Sequence, residues 1–185
     1  MTIAARIQEC TVKLTIGDAE NAFIQLAIAI DGTAKLLYPG KKTSERCKKF
    51  LKDSLPFILW SLSNGTPAKA TSLSFEISSS SESSEHIEFE DLVYKIMRCS
   101  LFHEGELSEK VEFVNDLYVG TLNGKIQFPL ALLGSLLFAV IASPVNERQR
   151  VPESTSFIFG KTKVPVNHML GCLEKTKIAI RNGFY

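Results

Sequence analysis

Residues 86–105 read HIEFEDLVYKIMRCSLFHEG, and the spacing of their apolar side chains decides the fold class. Phe89, Leu92, Val93, Ile96, Met97 and Ser100 follow i, i+3, i+4, i+7, i+8 and i+11, which lines them up on one side of a helix. The spacing predicts an amphipathic helix over about 86–105 that ends at Gly105, a residue suited to a helix C-cap. A helix with one apolar stripe needs other elements to cover it, so the neighbouring sequence must supply a bundle.

On the amino-terminal side it does. Ile3, Ile7, Cys10 and Leu14 keep helical spacing and stop before Gly17. Asp18 is a suitable N-cap for a second helix carrying Ala22, Phe23, Leu26, Ala27, Ile30, Ala34 and Leu37, and Tyr38-Pro39-Gly40 ends it. A third starts near Thr43 or Ser44 with Cys47, Phe50, Leu51, Leu55, Ile58 and Leu59 inside, and Pro56 should kink or divide it. The helical core is therefore expected over about 3–62 and 86–105. Between these, Leu73 to Ile77 alternates like a short strand, and 78–85 is serine-rich, a composition that buries no apolar area and predicts a mobile loop.

Past Gly105 the pattern changes. Val111 to Val114, Leu117 to Leu122 and Lys125 to Phe128 have strand character, and Asn123-Gly124 is a strong hairpin signal, so a β-hairpin is expected over about 111–128. A core helix of about 129–142 follows, too short for a membrane span, which needs roughly 20 apolar residues. Phe157 to Phe159 reads as a short strand, and Asn167 is positioned to cap a last helix of about 167–181. The expected fold is mainly α, a helical bundle with a small β elaboration, in one domain of 1–185.

Composition narrows function less than fold. Lys plus Arg number 21 against 20 for Asp plus Glu, so bulk charge does not advertise a nucleic-acid binder. The run Lys41, Lys42, Arg46, Lys48, Lys49 and Lys52 is either a local basic patch or a solvated helix face. Cys10, Cys47, Cys99 and Cys172 have neither metal-ligand nor disulfide-framework spacing, and the first ten residues lack a signal-peptide core. No metal or cofactor and no membrane association are expected, and a cytoplasmic location is.

Three histidines limit the search for chemistry. His86 borders the serine tract as a solvated residue, and His168 lies beside the expected cap Asn167. His103 follows Arg98 by five positions, late in the amphipathic helix and next to Glu104. Five positions separate two side chains by about 140° on an ideal helix, so the pair does not converge on one phosphate from a straight, isolated helix. A two-fold partner would help, because it brings identical motifs face to face. The simpler reading keeps His103 as a helix-terminal cation favoured by the macrodipole and Arg98 as a surface charge.

The segment Asp91 to Gly105, with its R-x-x-x-x-H motif, resembles the signature helix of the HEPN (higher eukaryotes and prokaryotes nucleotide-binding) superfamily. Ala29 to Lys35, with Tyr38-Pro39-Gly40 and Arg46, resembles the second helix and following turn of a plasmid- and phage-associated HEPN branch. In pattern the likeness covers roughly 5–105. It implies a helical bundle that forms a homodimer through the motif helices and a metal-independent endoribonuclease with Arg98 and His103 as its catalytic pair. Toxin–antitoxin or phage-defence settings, with RNA as substrate and an antitoxin as protein partner, come with the same resemblance. The chain departs from the family's active members after the arginine, where they commonly carry Asn, Asp or His and this chain has Cys99. Cys99 and Glu104 are the expected supporting positions. A catalytically silent HEPN module that binds RNA, a nucleotide or a protein partner is the alternative.

Overall fold

The computed structural model describes residues 2–63, 65, 66, 72–78, 84–102, 111–117, 119–159 and 161–182, with the backbone alone described for 76–78, 84, 85 and 98–102. Its helices are α1 (Ile3–Thr15), α2 (Ala19–Leu37), α3 (Thr43–Leu62), α4 (Phe89–Phe102), α5 (Leu130–Ala142) and α6 (Leu173–Asn182). Three small sheets accompany them, so the fold is mainly α with a minor β elaboration.

Local signals set the helix starts. The Thr2 hydroxyl accepts from the Ala5 amide at 3.2 Å and caps α1, and the Asp18 carboxylate accepts from the Asn21 amide at 3.3 Å and caps α2. Each such cap satisfies a donor the helix cannot satisfy itself, for about 1 kcal/mol. Pro56 does not divide α3, which runs unbroken from Thr43 to Leu62 with Pro56 on its exposed side.

The element at the centre of the packing is α2, in contact with α1, α3, α4 and α5. Phe23, Leu26, Ala27, Ile30 and Ala34 give it a fully buried face. α5 packs on α2 and α3, and most of its length is buried, which accounts for its continuous apolar composition. Its one polar core side chain, Ser135, hydrogen-bonds the hydroxyl of Ser61 on α3 at 3.1 Å.

Strands differ from expectation in three places. Residues 84–88 form β2 (Ser84–Glu88), antiparallel to β1 (Ser74–Ser78) with Phe75 opposite Ile87. The helix therefore starts at Phe89, and positions 78, 84 and 85 belong to strands and not to a serine-rich loop; 79–83 lie outside the described residues. The Asn123-Gly124 turn does join β4 (Gly120–Leu122) to β5 (Lys125–Pro129), with φ of 52° and 76° at its two residues, as a tight hairpin requires. However, β3 (Val111–Val114) pairs with β5 in parallel, so 111–128 is a three-stranded mixed sheet and not a simple hairpin. Phe113 and Phe128 of that sheet pack on Phe23 of α2, with centroids 5.9 and 5.5 Å from it.

The third difference is at the carboxyl end. β6 (Ser156–Phe159) pairs with β7 (Thr162–Pro165), a 3-10 turn covers Val166–His168, and α6 begins at Leu173 and not at 167. Asn167 does not cap a helix. Its amide closes on Val151 instead, accepting from that residue's N–H at 3.0 Å and donating to its carbonyl at 2.9 Å. Among the described residues no helix is long and apolar enough to cross a membrane.

Candidate functional site

The helix that carries the candidate motif is built from both ends of its own chemistry. The Phe89 amide donates to the Leu73 carbonyl at 2.8 Å, tying the start of α4 to the chain ahead of β1. Glu90 and Asp91 occupy its first turn, where the helix dipole favours negative charge. Both carboxylates face α3: Lys48 pairs with Asp91, and Lys52 reaches Glu90 at 3.3 Å. The Lys48 ammonium also lies 5.7 Å from the centre of the Tyr94 ring.

Phe89, Leu92, Val93, Ile96 and Met97 are all 0–1% exposed and join the core against α2 and α3. The apolar stripe is therefore used inside the chain. Those side chains are spent inside the subunit, so any partner on α4 would meet another side of the helix. The backbone stays α-helical through Phe102, and the helical period sets position 98 about 180° from the middle of that stripe. Arg98 and Cys99 are described in backbone only, and His103 and Glu104 lie outside the described residues, as does Gly105.

Five of the six cations in the run from Lys41 to Lys52 are paired with carboxylates. Lys41 pairs with Glu45, Lys49 with Asp53 at 2.9 Å, and Lys48 and Lys52 with the first turn of α4. Arg46 sends Nε and Nη2 to one oxygen of Asp31, at 2.9 and 2.7 Å. Asp31 and Arg46 belong to the second stretch that resembles HEPN proteins, and their contact clamps α2 to α3. The exposed pairs contribute about 0–1 kcal/mol each, but together they cancel a cationic patch that phosphates would need. The run is a solvated face.

Cys10 and Cys47 are buried, and burial pushes both thiols up to about 12; at Cys47 the charge of Asp31 and its hydrogen bond add to the effect against Arg46. Neither forms a thiolate near neutral pH, which removes them as nucleophiles. His86 is exposed on β2, and among the described residues no group of His, Cys, Asp and Glu could hold a metal ion.

A polar cluster that sequence reasoning missed lies on the other side of α3. The Tyr38 hydroxyl donates to Asp53 Oδ2 at 2.7 Å, and the Lys49 ammonium reaches the same oxygen. Tyr38 had a signal only as part of the Tyr-Pro-Gly helix stop; nothing local links it to a carboxylate on the next helix.

A family model described as Rv1289 matches residues 2–183. The chain belongs to the Rv1289 family. No curated protein and no solved structure matches it. The Rv1289 match runs from α1 into α6 and takes in the carboxyl-terminal elements that the HEPN-like pattern over 5–105 leaves out. It does not itself assign the Rv1289 family to the HEPN superfamily.

Proposed function

We propose that this chain is a cytoplasmic, metal-independent endoribonuclease of HEPN type, with Arg98 and His103 as its catalytic pair and Cys99 and Glu104 flanking them. The reading is carried by the division of labour on α4. Its apolar side is occupied by α2 and α3, while its helical backbone carries the arginine position on the opposite side. Two copies meeting across that outer side would bring both arginine positions to one cleft, and the reading requires the chain beyond Phe102 to turn the imidazole of position 103, about 140° away on an ideal helix, toward it. In that cleft the imidazole takes the proton of an RNA 2′-hydroxyl, whose oxygen attacks the adjacent phosphorus. The guanidinium balances the charge growing on the phosphoryl oxygens, and the 5′-oxygen leaves with a proton returned by imidazolium. A toxin–antitoxin or phage-defence setting, with an antitoxin as protein partner, belongs to the same reading.

The second reading is a catalytically silent HEPN module that binds RNA, a nucleotide or a protein partner. The largely paired α3 run favours it, and so does Cys99, since a thiol is a weak hydrogen-bonding group where active relatives carry a polar one.

One experiment separates them. The purified full chain is incubated with single-stranded RNA in excess EDTA, and its mass is followed by sedimentation. The ribonuclease reading expects a dimer at micromolar concentration, a 2′,3′-cyclic phosphate product, and loss of cleavage in His103→Ala and Arg98→Ala with unchanged melting. RNA retained by a dimer without cleavage selects the silent module. Cleavage that persists in His103→Ala, or a monomer that neither binds nor cuts RNA, overturns the HEPN reading.

A further inference from the structure

A cleft of about 240 Å³ opens between the end of α2, the middle of α3, the end of α5 and the start of α6, and none of its lining residues lies on α4. Phe50, Phe57, Ala139, Ala142 and Leu173 give it apolar walls, two of them flat and two of them short. A cavity of roughly 150 Å³ suffices for one benzene ring, so this volume suits a single ring with a short tail. Ligand sites typically combine apolar walls of this kind with a few convergent polar groups.

The polar groups stand at Tyr38, Asp53 and Ser143. Asp53 accepts both the Tyr38 hydroxyl, at 2.7 Å, and the Lys49 ammonium, at 2.9 Å, on Oδ2, so its Oδ1 has no partner among the described residues. Burial pushes the Asp53 carboxyl up, but the bonds from Tyr38 and Lys49 and the charges of Lys49 and Lys52 outweigh it and hold the group below its usual range. The site thus presents a carboxylate that is paired through Oδ2 and has Oδ1 unused. Ser143 is 6% exposed, and its hydroxyl is buried without a hydrogen-bond partner. That oxygen is closed off from solvent, so the polar contact the cleft offers an occupant is that of Asp53.

We propose that this cleft binds a small primary amine bearing one aromatic ring, with the ring between the walls of α3 and α5 and the ammonium on Asp53 Oδ1. The inference is independent of any chemistry on α4. The same geometry disfavours the opposite charge: a carboxylate ligand would meet Asp53 head on, and both nearby lysines are committed, Lys49 to Asp53 and to the Tyr38 ring, 5.2 Å from its centre, and Lys52 to Glu90.

The test uses the full chain and the probe 2-phenylethylamine, followed by titration calorimetry and by NMR of the Phe50 and Phe57 rings. Phenylacetate, which has the same ring and the opposite charge, is the comparison. Expected is saturable binding of the amine at least tenfold tighter than that of phenylacetate. Asp53→Asn should weaken the amine at least tenfold and erase the preference, and Ser54→Phe, at a half-buried lining position, should fill the cleft and abolish binding while the melting temperature holds. Absence of saturable amine binding, equal binding of phenylacetate, or amine binding that is unchanged in Ser54→Phe overturns the proposal.

Discussion

Gly171 sits where two chain segments cross. Its φ of +71° is in the left-handed region, its amide donates to the Ile141 carbonyl at 2.8 Å, and a Cβ there would fall 2.6 Å from the backbone nitrogen of Glu147. Both the torsion and the space select glycine, and the neighbour is backbone, which cannot rotate away. Gly171→Ala should therefore destabilise the protein by roughly 3 kcal/mol or more, read from urea unfolding, whereas a loss under about 1 kcal/mol would mean that the crossing relaxes easily. The same crossing explains why the last helix starts late: Gly171 turns the chain first, and the helix can form only after it. Asn167, a good cap by composition, is drawn into a bidentate clamp on Val151 sixteen positions away, a partner that no local pattern reveals.

At the scale of elements, α4 is the case where burial decides between two roles for one stripe. Ile96 is 1% exposed within the subunit, so Ile96→Ala should lower stability by about 3 kcal/mol and leave the association state as it was. If Ile96→Ala instead dissociated a dimer with little loss of monomer stability, the stripe would be an interface and the packing described above would be wrong. The α-helices were legible because their signals are local: Asp18 before an apolar period, Tyr38-Pro39-Gly40 after it, and a run around Leu132 to Val140 without charge. The strands were legible where a turn announced them, as at Asn123-Gly124. The parallel contact of β3 with β5 and the strand at 84–88 were not, because pairing across a gap depends on partners far along the chain. The candidate site divides in the same way. Arg98 and His103 stand out through the resemblance of their segment to HEPN proteins, while Tyr38 and Asp53 meet across a turn, and the carboxylate reads from sequence as one more charge on a solvated face.

For the molecule as a whole, the buried apolar residues form one cluster that draws on all six helices and on β3 and β5. Trp60, the single tryptophan, stacks on Phe57 at 5.8 Å between ring centres and is covered by Arg181 of α6 at 5.3 Å. Its fluorescence therefore reports the docking of the carboxyl-terminal helix on α3, whereas far-ultraviolet circular dichroism reports the helices together. The two signals should follow one unfolding transition with a common midpoint. An early tryptophan transition that leaves helicity intact would show that α6 detaches as a separate unit.

Closure also depends on contacts between distant parts of the chain. The Gln149 side chain accepts the amide of Ala4 across 145 positions, and Asn146 donates to the buried hydroxyl of Thr33 across 113. On a ribosome, α1 and α2 emerge before these partners and wait for them for on the order of ten seconds at ordinary elongation rates. During that interval the face of α2 that α5 will cover is bare, and a nascent chain halted before residue 130 carries it permanently. Products stalled or truncated before α5 should consequently be sticky, chaperone-bound and short-lived, since the piece that seals this face is made well after the face itself.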